Sequence, residues 1–327
     1  MSSVPSLNLT EVRNPVAEAA CPLCVSIDTR QVESVRVADI DSEYRRQFGI
    51  GVLDEFPTGL QSLSWRHCNA CRLDFFSPMV TGSSAFYASL ARTPGYYTPS
   101  RWEFDETVRR LPAEPDLIDV GCGDGHFLRR VPGQKKRGLE FNPEAVRRAR
   151  LQGLHVTQDA LESLPDGSAD FLTLFEVLEH VAQPAALVRE AARVLRPGGR
   201  LFLSVPNNDA FVGSAIHDPM NAPPHHPLRW RPAAFAHLQE VAPLHLQSVT
   251  AEHLAPEQLY HFRRAGFIGA LRSLTGGRMP LHRVGPGMTA VRRTANVWAL
   301  ALSRLAPTPP AAALGPSILA ELRRTDA

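Results

Sequence analysis

Four cysteines stand in two pairs, CPLC at residues 21–24 and CNAC at 68–71, and the fifth, Cys122, lies inside a glycine-rich stretch. Each CxxC sets two sulfurs on one tight turn. Together Cys21, Cys24, Cys68 and Cys71 supply the four thiolates of a tetrahedral shell, which suits zinc. Four cysteine ligands leave no open position, so such an ion would be structural. A thioredoxin-like redox pair and uncommitted thiols are the alternatives, and the former needs a βαβ pattern around CPLC that the sequence lacks. With 43 residues between the pairs, the loop joining them is expected to carry strands of its own.

LIDVGCGDGHF (117–127) holds a second kind of chemistry. A short apolar run carries Asp119 near its end, and glycines follow at 121, 123 and 125. Glycines at that spacing let backbone turn tightly and approach a ligand closely. The dinucleotide fingerprint has a further glycine where His126 stands, so the pattern is GxGxG. Glu140, near the end of the next apolar run, is placed to accept hydrogen bonds from a ribose. Asp159 follows the third run and could meet an adenine amino group. The plain alternative is a glycine turn with two ordinary acidic loop residues.

NAPPHHPLRW (221–230) carries His225 and His226 between prolines. Imidazole is matched to proton transfer near neutral pH, so either could serve as a base. His180, in EVLEHV, is the rival, and a rigid turn with hydrogen-bonded imidazoles is the alternative.

These residues need elements to position them. Strands are expected at 117–120, 137–141, 154–158, 171–177 and 200–206. Helices should begin at GHFLRRV, run through PEAVRRARLQG, and fill AALVREAARVLRPGG, with Pro and Gly as start and stop signals. Strand–helix alternation predicts a parallel sheet covered by helices. Further strands are expected at 245–253 and 315–324, with a mainly helical insert at 256–306 between them. The organisation reads as residues 1–80 with both cysteine pairs, an aromatic connector at 81–115, and an α/β domain over 116–327.

DVGCGDGHF, GLEFNPEAV, QDALESLPDGSADFLTLFEVLEHV and VLRPGGRLFLSVPN, in order over 117–207, resemble the successive motifs of class I S-adenosylmethionine-dependent methyltransferases. The resemblance implies a Rossmann-like seven-stranded sheet whose last strand is antiparallel. It implies that Asp119, Gly121, Cys122 and Gly123 wrap the methionine portion of the donor. Glu140, with Phe141 beside it, would take the ribose, Asp159 and Ala160 would face the adenine, and Phe175 and Glu176 would line the pocket. The opening, CPLC followed by HCNACRLDFFSP and an aromatic run with YY, is similar to a subgroup with an N-terminal zinc-binding module that acts on sugars or natural-product scaffolds. In that subgroup the module helps cover the substrate, and a PPHH-type segment is frequent. The expectation is a small zinc-ribbon-like module holding residues 72–104 as a lid, with Tyr87, Tyr96, Tyr97 and Trp102 as lid residues or as interdomain packing. Deoxysugar C-methyltransferases share this opening but carry a long further C-terminal domain, which weighs against C-methylation here.

The totals bound the function. The 327 residues carry 35 basic and 33 acidic side chains, with only scattered basic doublets and KKR at 135–137. A nucleic-acid partner calls for a basic face, so none is expected. The start lacks a basic, then apolar, leader, and the apolar stretch near 296–306 is too short to span a membrane. A cytoplasmic enzyme is expected, binding S-adenosylmethionine and structural Zn2+ and methylating a small-molecule acceptor, most simply an oxygen of a sugar, glycan precursor or secondary metabolite. A zinc-finger RNA methyltransferase and a non-catalytic donor-binding module are the alternatives. The apolar face of the insert could pack on the domain, form a dimer or touch a membrane surface, its few basic residues favouring the first two, and the sequence leaves the oligomeric state open.

Overall fold

The computed structural model describes residues 20–215 and 217–325. After the CPLC turn, β1 (Thr29–Arg36) runs into α1 (Val37–Phe48). The helix stops at Gly49, whose φ of 70° lets its N–H reach the Arg45 carbonyl. β2 (Ser62–Cys68) pairs antiparallel with β1, and β3 (Asp74–Ser77) with β2. The loop between the cysteine pairs thus carries two strands and a helix, and CNAC is the turn joining β2 to β3. Two short helices follow, α2 (Ser84–Leu90) and α3 (Trp102–Val108).

The second sheet then builds by alternation: β4 (Leu117–Val120), β5 (Lys136–Leu139), α4 (Pro143–Leu151), β6 (Val156–Thr157), β7 (Ala169–Phe175), α5 (Pro184–Val194) and β8 (Leu195–Pro206). Asn142 caps α4 by accepting the Glu144 N–H, and Pro143 takes the first helical position. β9 (Leu228–Arg229) leaves this domain and pairs with β3, with Asp74 opposite Arg229 and Phe75 opposite Leu228. The chain returns through α6 (Leu238–Val241) and β10 (Leu244–His253), makes the hairpin of α7 (Leu259–Leu274) and α8 (Pro286–Leu305), and ends with β11 (Leu314–Arg324).

In space the large sheet runs β10-β11-β8-β7-β4-β5-β6. Its pairings are parallel from β8 to β6, and β11 lies antiparallel to both β8 and β10. This is the seven-stranded mixed sheet the motifs imply. The order reverses between β4 and β7, and open α/β sheets bind ligands at such a switch point, beyond the carboxyl ends of the strands.

Three expected elements differ, one being the helix over AALVREAARVLRPGG, which ends at Val194 while LRPGG opens β8. GHFLRRV forms successive turns over 123–130 and not a helix. Gly123 and Gly125 hold φ at 53° and 75°, which leaves too few residues before Pro132 for a regular helix. The strand expected at 154–158 shortens to Val156–Thr157, the sheet's edge.

The two sheets share their interior. Cys21, Leu23, Cys68, Cys71, Leu73 and Phe75 are buried in one hydrophobic cluster with Leu174, Leu203, Leu228 and Trp230. A second cluster packs β1, β2 and α1 against Phe86 of α2 and against Ile268 and Ala295 of the α7–α8 hairpin.

Candidate active site

The cysteine turns are two copies of one structure. In each, the fourth residue after the first cysteine donates back to that cysteine's carbonyl: Val25 N–H to Cys21 at 2.9 Å and Arg72 N–H to Cys68 at 3.0 Å. Both donors hold left-handed backbone, φ 56° at Val25 and 68° at Arg72. The four sulfurs lie within 4.8 Å of one another, with Cys21 3.4 Å from Cys71 and Cys24 3.5 Å from Cys68. A disulfide is about 2.05 Å long, so these are free thiols. Four sulfurs at about 2.3 Å from a shared ion would be about 3.8 Å apart, which the cluster matches. The hydrogen bond from Cys71 draws the Cys21 thiol down to about 5. The reciprocal bond to Cys21 and burial drive Cys71 far above its ordinary range. Burial lifts Cys24 to about 11.

At the sheet's switch point, Asp119 is buried and accepts the Thr173 hydroxyl at 2.7 Å. Burial pushes its carboxyl up to about 7. Gly121, Gly123 and Gly125 all have positive φ, at 72°, 53° and 75°. The Gly123 N–H donates to Glu140 at 2.9 Å, and the other Glu140 oxygen accepts the Asn142 N–H at 2.8 Å. Glu140 therefore stands at the lip of the glycine turn. A Cβ on Gly123 would meet the Tyr97 ring at 2.9 Å, and one on Gly121 would meet Val177 at 2.7 Å. The cradle is open only because both positions are glycine. Tyr97 is held over it by Asn142, whose amide donates to the phenol at 3.2 Å, and by Arg148, 5.8 Å from the ring centre.

Other expected donor-site residues are placed differently. Cys122 is buried under the turn with Leu128, on the core side. Phe175 packs there too, its ring 4.8 Å from Phe127 and 5.4 Å from Phe104. Both serve as floor. Phe141 and Asp159 are exposed, and Ala160 is half-buried. Glu176, just past β7, holds φ at 54° and pairs with Arg101 at 3.4 Å. Burial raises its carboxyl to about 7.

His180, His225 and His226 meet. Their ring centres are 4.5, 4.7 and 4.2 Å apart, and their ligating nitrogens lie within 4.8 Å of one another. His225 Nδ1 bonds the Met220 carbonyl at 3.0 Å, and His180 Nδ1 bonds the His225 carbonyl at 2.8 Å. A carbonyl only accepts, so both imidazoles carry their proton on Nδ1 and present Nε2 as a lone pair. Burial lowers His180 to about 4 and holds His225 and His226 well below the usual histidine range. Tyr87 lies 3.3 Å from His180 Nδ1, and Tyr96 lies 3.3 Å from His225 Nε2. Of the four residues expected in a lid, Tyr87 and Tyr96 lie beside the histidines and Tyr97 beside Gly123. Trp102 packs instead beside Phe104 and Phe127, because it opens α3 with that face toward the core.

Sequence reasoning passed over Glu179, Arg101 and Glu103. Glu179 is 1% exposed, and neither of its carboxylate oxygens has a hydrogen-bond partner. Burial drives it well above the ordinary carboxylate range. Arg101 lies between Glu103, at 3.7 Å, and Glu176. Glu179 was visible within EVLEHV, three residues after Glu176, but a carboxylate on one turn reads as a solvated face. Nothing local marks Arg101.

Strand order, the glycine turn that follows β4 and the acidic lip after β5 define an α/β methyltransferase fold. Residues 100–259 match the family model of a methyltransferase domain. Among similar proteins are ubiquinone biosynthesis O-methyltransferases. That of Xanthomonas oryzae pv. oryzae is 39% identical over 28% of this chain and 43% of its own length. That of Ralstonia nicotianae is 33% identical over 34% of this chain and 51% of its own length. The chain thus spans about half the length of the curated relatives it matches. Among solved structures, an S-adenosylmethionine-dependent methyltransferase of Thermotoga maritima aligns at 15% identity and a TM-score of 0.45, over 74% of this chain and 97% of its own. Among the described residues, no helix is long and apolar enough to cross a membrane.

Proposed function

We propose that this protein transfers a methyl group from S-adenosylmethionine to an oxygen of a small-molecule acceptor, in the class of sugars, glycan precursors or secondary metabolites. One observation carries the reading. Tyr97 lies on Gly123, while its neighbour Tyr96 reaches His225 Nε2 at 3.3 Å. The donor cradle and the proton-accepting cluster are one tyrosine apart. The O-methyltransferase names of the relatives support the choice of oxygen.

When bound, the donor supplies an electrophilic methyl on a sulfonium; the chain supplies position and proton transfer. Gly121 and Gly123 let the backbone approach, Glu140 takes the ribose hydroxyls, and Asp159 and Ala160 stand at the adenine side. Tyr87, Tyr96 and Tyr97 exclude water. The imidazoles are neutral at physiological pH, so a free Nε2 of His225 or His180, or a ring nitrogen of His226, accepts the acceptor's hydroxyl proton. The O–CH3 bond forms as the C–S bond breaks.

Cys21, Cys24, Cys68 and Cys71 hold a structural zinc ion. The repeated knuckle and the spacing of the sulfurs support this, and metal analysis of purified protein tests it: about one zinc per chain bound by thiolates is expected.

The donor reading is tested by calorimetric titration with S-adenosylmethionine. Gly123→Ala places a methyl group 2.9 Å from Tyr97 on backbone of positive φ. It should weaken donor binding by about tenfold or more, for a loss of about 1–2 kcal/mol. Unchanged affinity in a folded variant would remove the donor from this turn.

A further inference from the structure

The histidine cluster has a feature that proton transfer alone does not use. His180 and His225 both direct their Nδ1 protons outward, to the carbonyls of His225 and Met220. Their Nε2 atoms are thereby left as lone pairs, that of His180 3.8 Å from Glu179. His226 Nδ1 is buried without a hydrogen-bond partner. The buried Glu179 carboxylate, unpartnered at both oxygens, lies 3.8 Å from His180 Nε2 and 3.9 Å from His226 Nε2. The donor covering His225 Nε2 is the Tyr96 hydroxyl, at 3.3 Å. A carboxylate so deeply buried is held ionised only by a cation, and the nearby Arg101 is paired with Glu103 and Glu176. Several inward lone pairs and a carboxylate converge where a positive charge would satisfy them all.

We infer that His180, His225, His226 and Glu179 form a binding site for a divalent transition-metal ion, separate from the cysteine cluster. Imidazole with one carboxylate suits Zn2+ and its first-row neighbours. The carbonyls holding the Nδ1 protons are the outer partners that fix a ligating histidine's tautomer and ring orientation. The ligating nitrogens of the three histidines, within 4.8 Å of one another, need to close to about 3.4 Å around a tetrahedral ion, with Glu179 3.8 Å and 3.9 Å from two of the rings as the fourth ligand. The role of the ion, though not its binding, rests on the methyl-transfer reading. An acceptor oxygen on the ion would lose its proton to water more readily than a free hydroxyl. With the ion bound, the imidazoles would serve as ligands and the proton would leave to water; in the metal-free protein they take the proton, and in either case the O–CH3 bond forms as the C–S bond breaks.

The test is a titration of metal-depleted, full-length protein with Co2+, followed by absorption spectroscopy and metal counting after dialysis. Two ions per chain are expected. One should show intense thiolate-to-cobalt charge transfer, the other only the weaker ligand-field bands of nitrogen and oxygen ligands. His225→Ala with His226→Ala should remove the second signal and leave the thiolate signal intact. Glu179→Gln, a milder change, should weaken the second site about tenfold or more if the double variant fails to fold. Saturation at one ion with a thiolate spectrum would overturn the proposal, as would a second signal unmoved by these substitutions. A second ion in a protein that methylates no acceptor would sink the methyl-transfer reading alone. Methyl transfer by a protein that binds one ion would sink the metal site alone.

Discussion

Asp119 ends β4 with its carboxyl buried and hydrogen-bonded to Thr173. Its carboxyl titrates near 7 in the fold and near 3.9 in an unfolded chain. Between those values the folded protein holds a proton that the unfolded chain has released. The stability this contributes is present at low pH and is lost as pH rises through about 7. Asp119→Asn keeps the acceptor for Thr173 and cannot ionise. Thermal unfolding should give the variant a Tm close to wild type at about pH 4 and a higher one at pH 8; a lower Tm at pH 8 would refute this account of the carboxyl. The histidines run the other way. A base must be unprotonated to act, and His180 titrates near 4. The rate should therefore persist from pH 7 down to about 5, where an ordinary histidine with pKa near 6.5 would already be protonated. His225→Ala should lower kcat by about 10²–10⁴-fold with donor affinity kept. A rate falling with a midpoint near 6.5, or an unaffected His225 variant, would take proton transfer away from this cluster.

At the scale of elements, the cysteine turns and the histidine loop are coupled through one short pairing. CNAC leads into β3, β3 pairs with β9, and His225 and His226 lie just before β9. Arg231, just past β9, reinforces the contact by pairing with Asp74 at 3.0 Å. Loosening the cysteine cluster should therefore disturb the acceptor side before the donor side. Cys68→Ser should lower Tm and impair methyl transfer, while S-adenosylmethionine affinity in the folded fraction stays within about threefold of wild type. Equal losses at both sites would contradict this coupling. The large sheet was legible because buried parallel strands read as continuous apolar runs, as in LIDV and RLFLSVP. The cysteine cluster was legible because CxxC fixes its geometry within four residues. β9 was not, since two residues have no period. Phe175 and Cys122 were assigned to the pocket by motif, yet their side chains lie beneath it; a motif fixes where the backbone runs, and the face a side chain takes depends on packing with Phe104 and Phe127 from elsewhere in the chain. The pairing of Arg101 with Glu176 was hidden for the same reason.

Among the described residues the small sheet and the large sheet are packed together. The cysteine turns share a hydrophobic cluster with the large sheet, and β9 stitches the small sheet to the histidine loop. The near-balance of 35 basic and 33 acidic residues suits a small acceptor better than a polyanion. The central claim is methyl transfer to a small molecule. Its most direct test is incubation of the purified chain with methyl-labelled S-adenosylmethionine and a cell extract separated into polar small-molecule, lipid, RNA and protein fractions. Label in a small-molecule fraction, lost in His225→Ala, is the predicted result. Label in RNA or protein, or no label in any fraction while the donor binds, would contradict it.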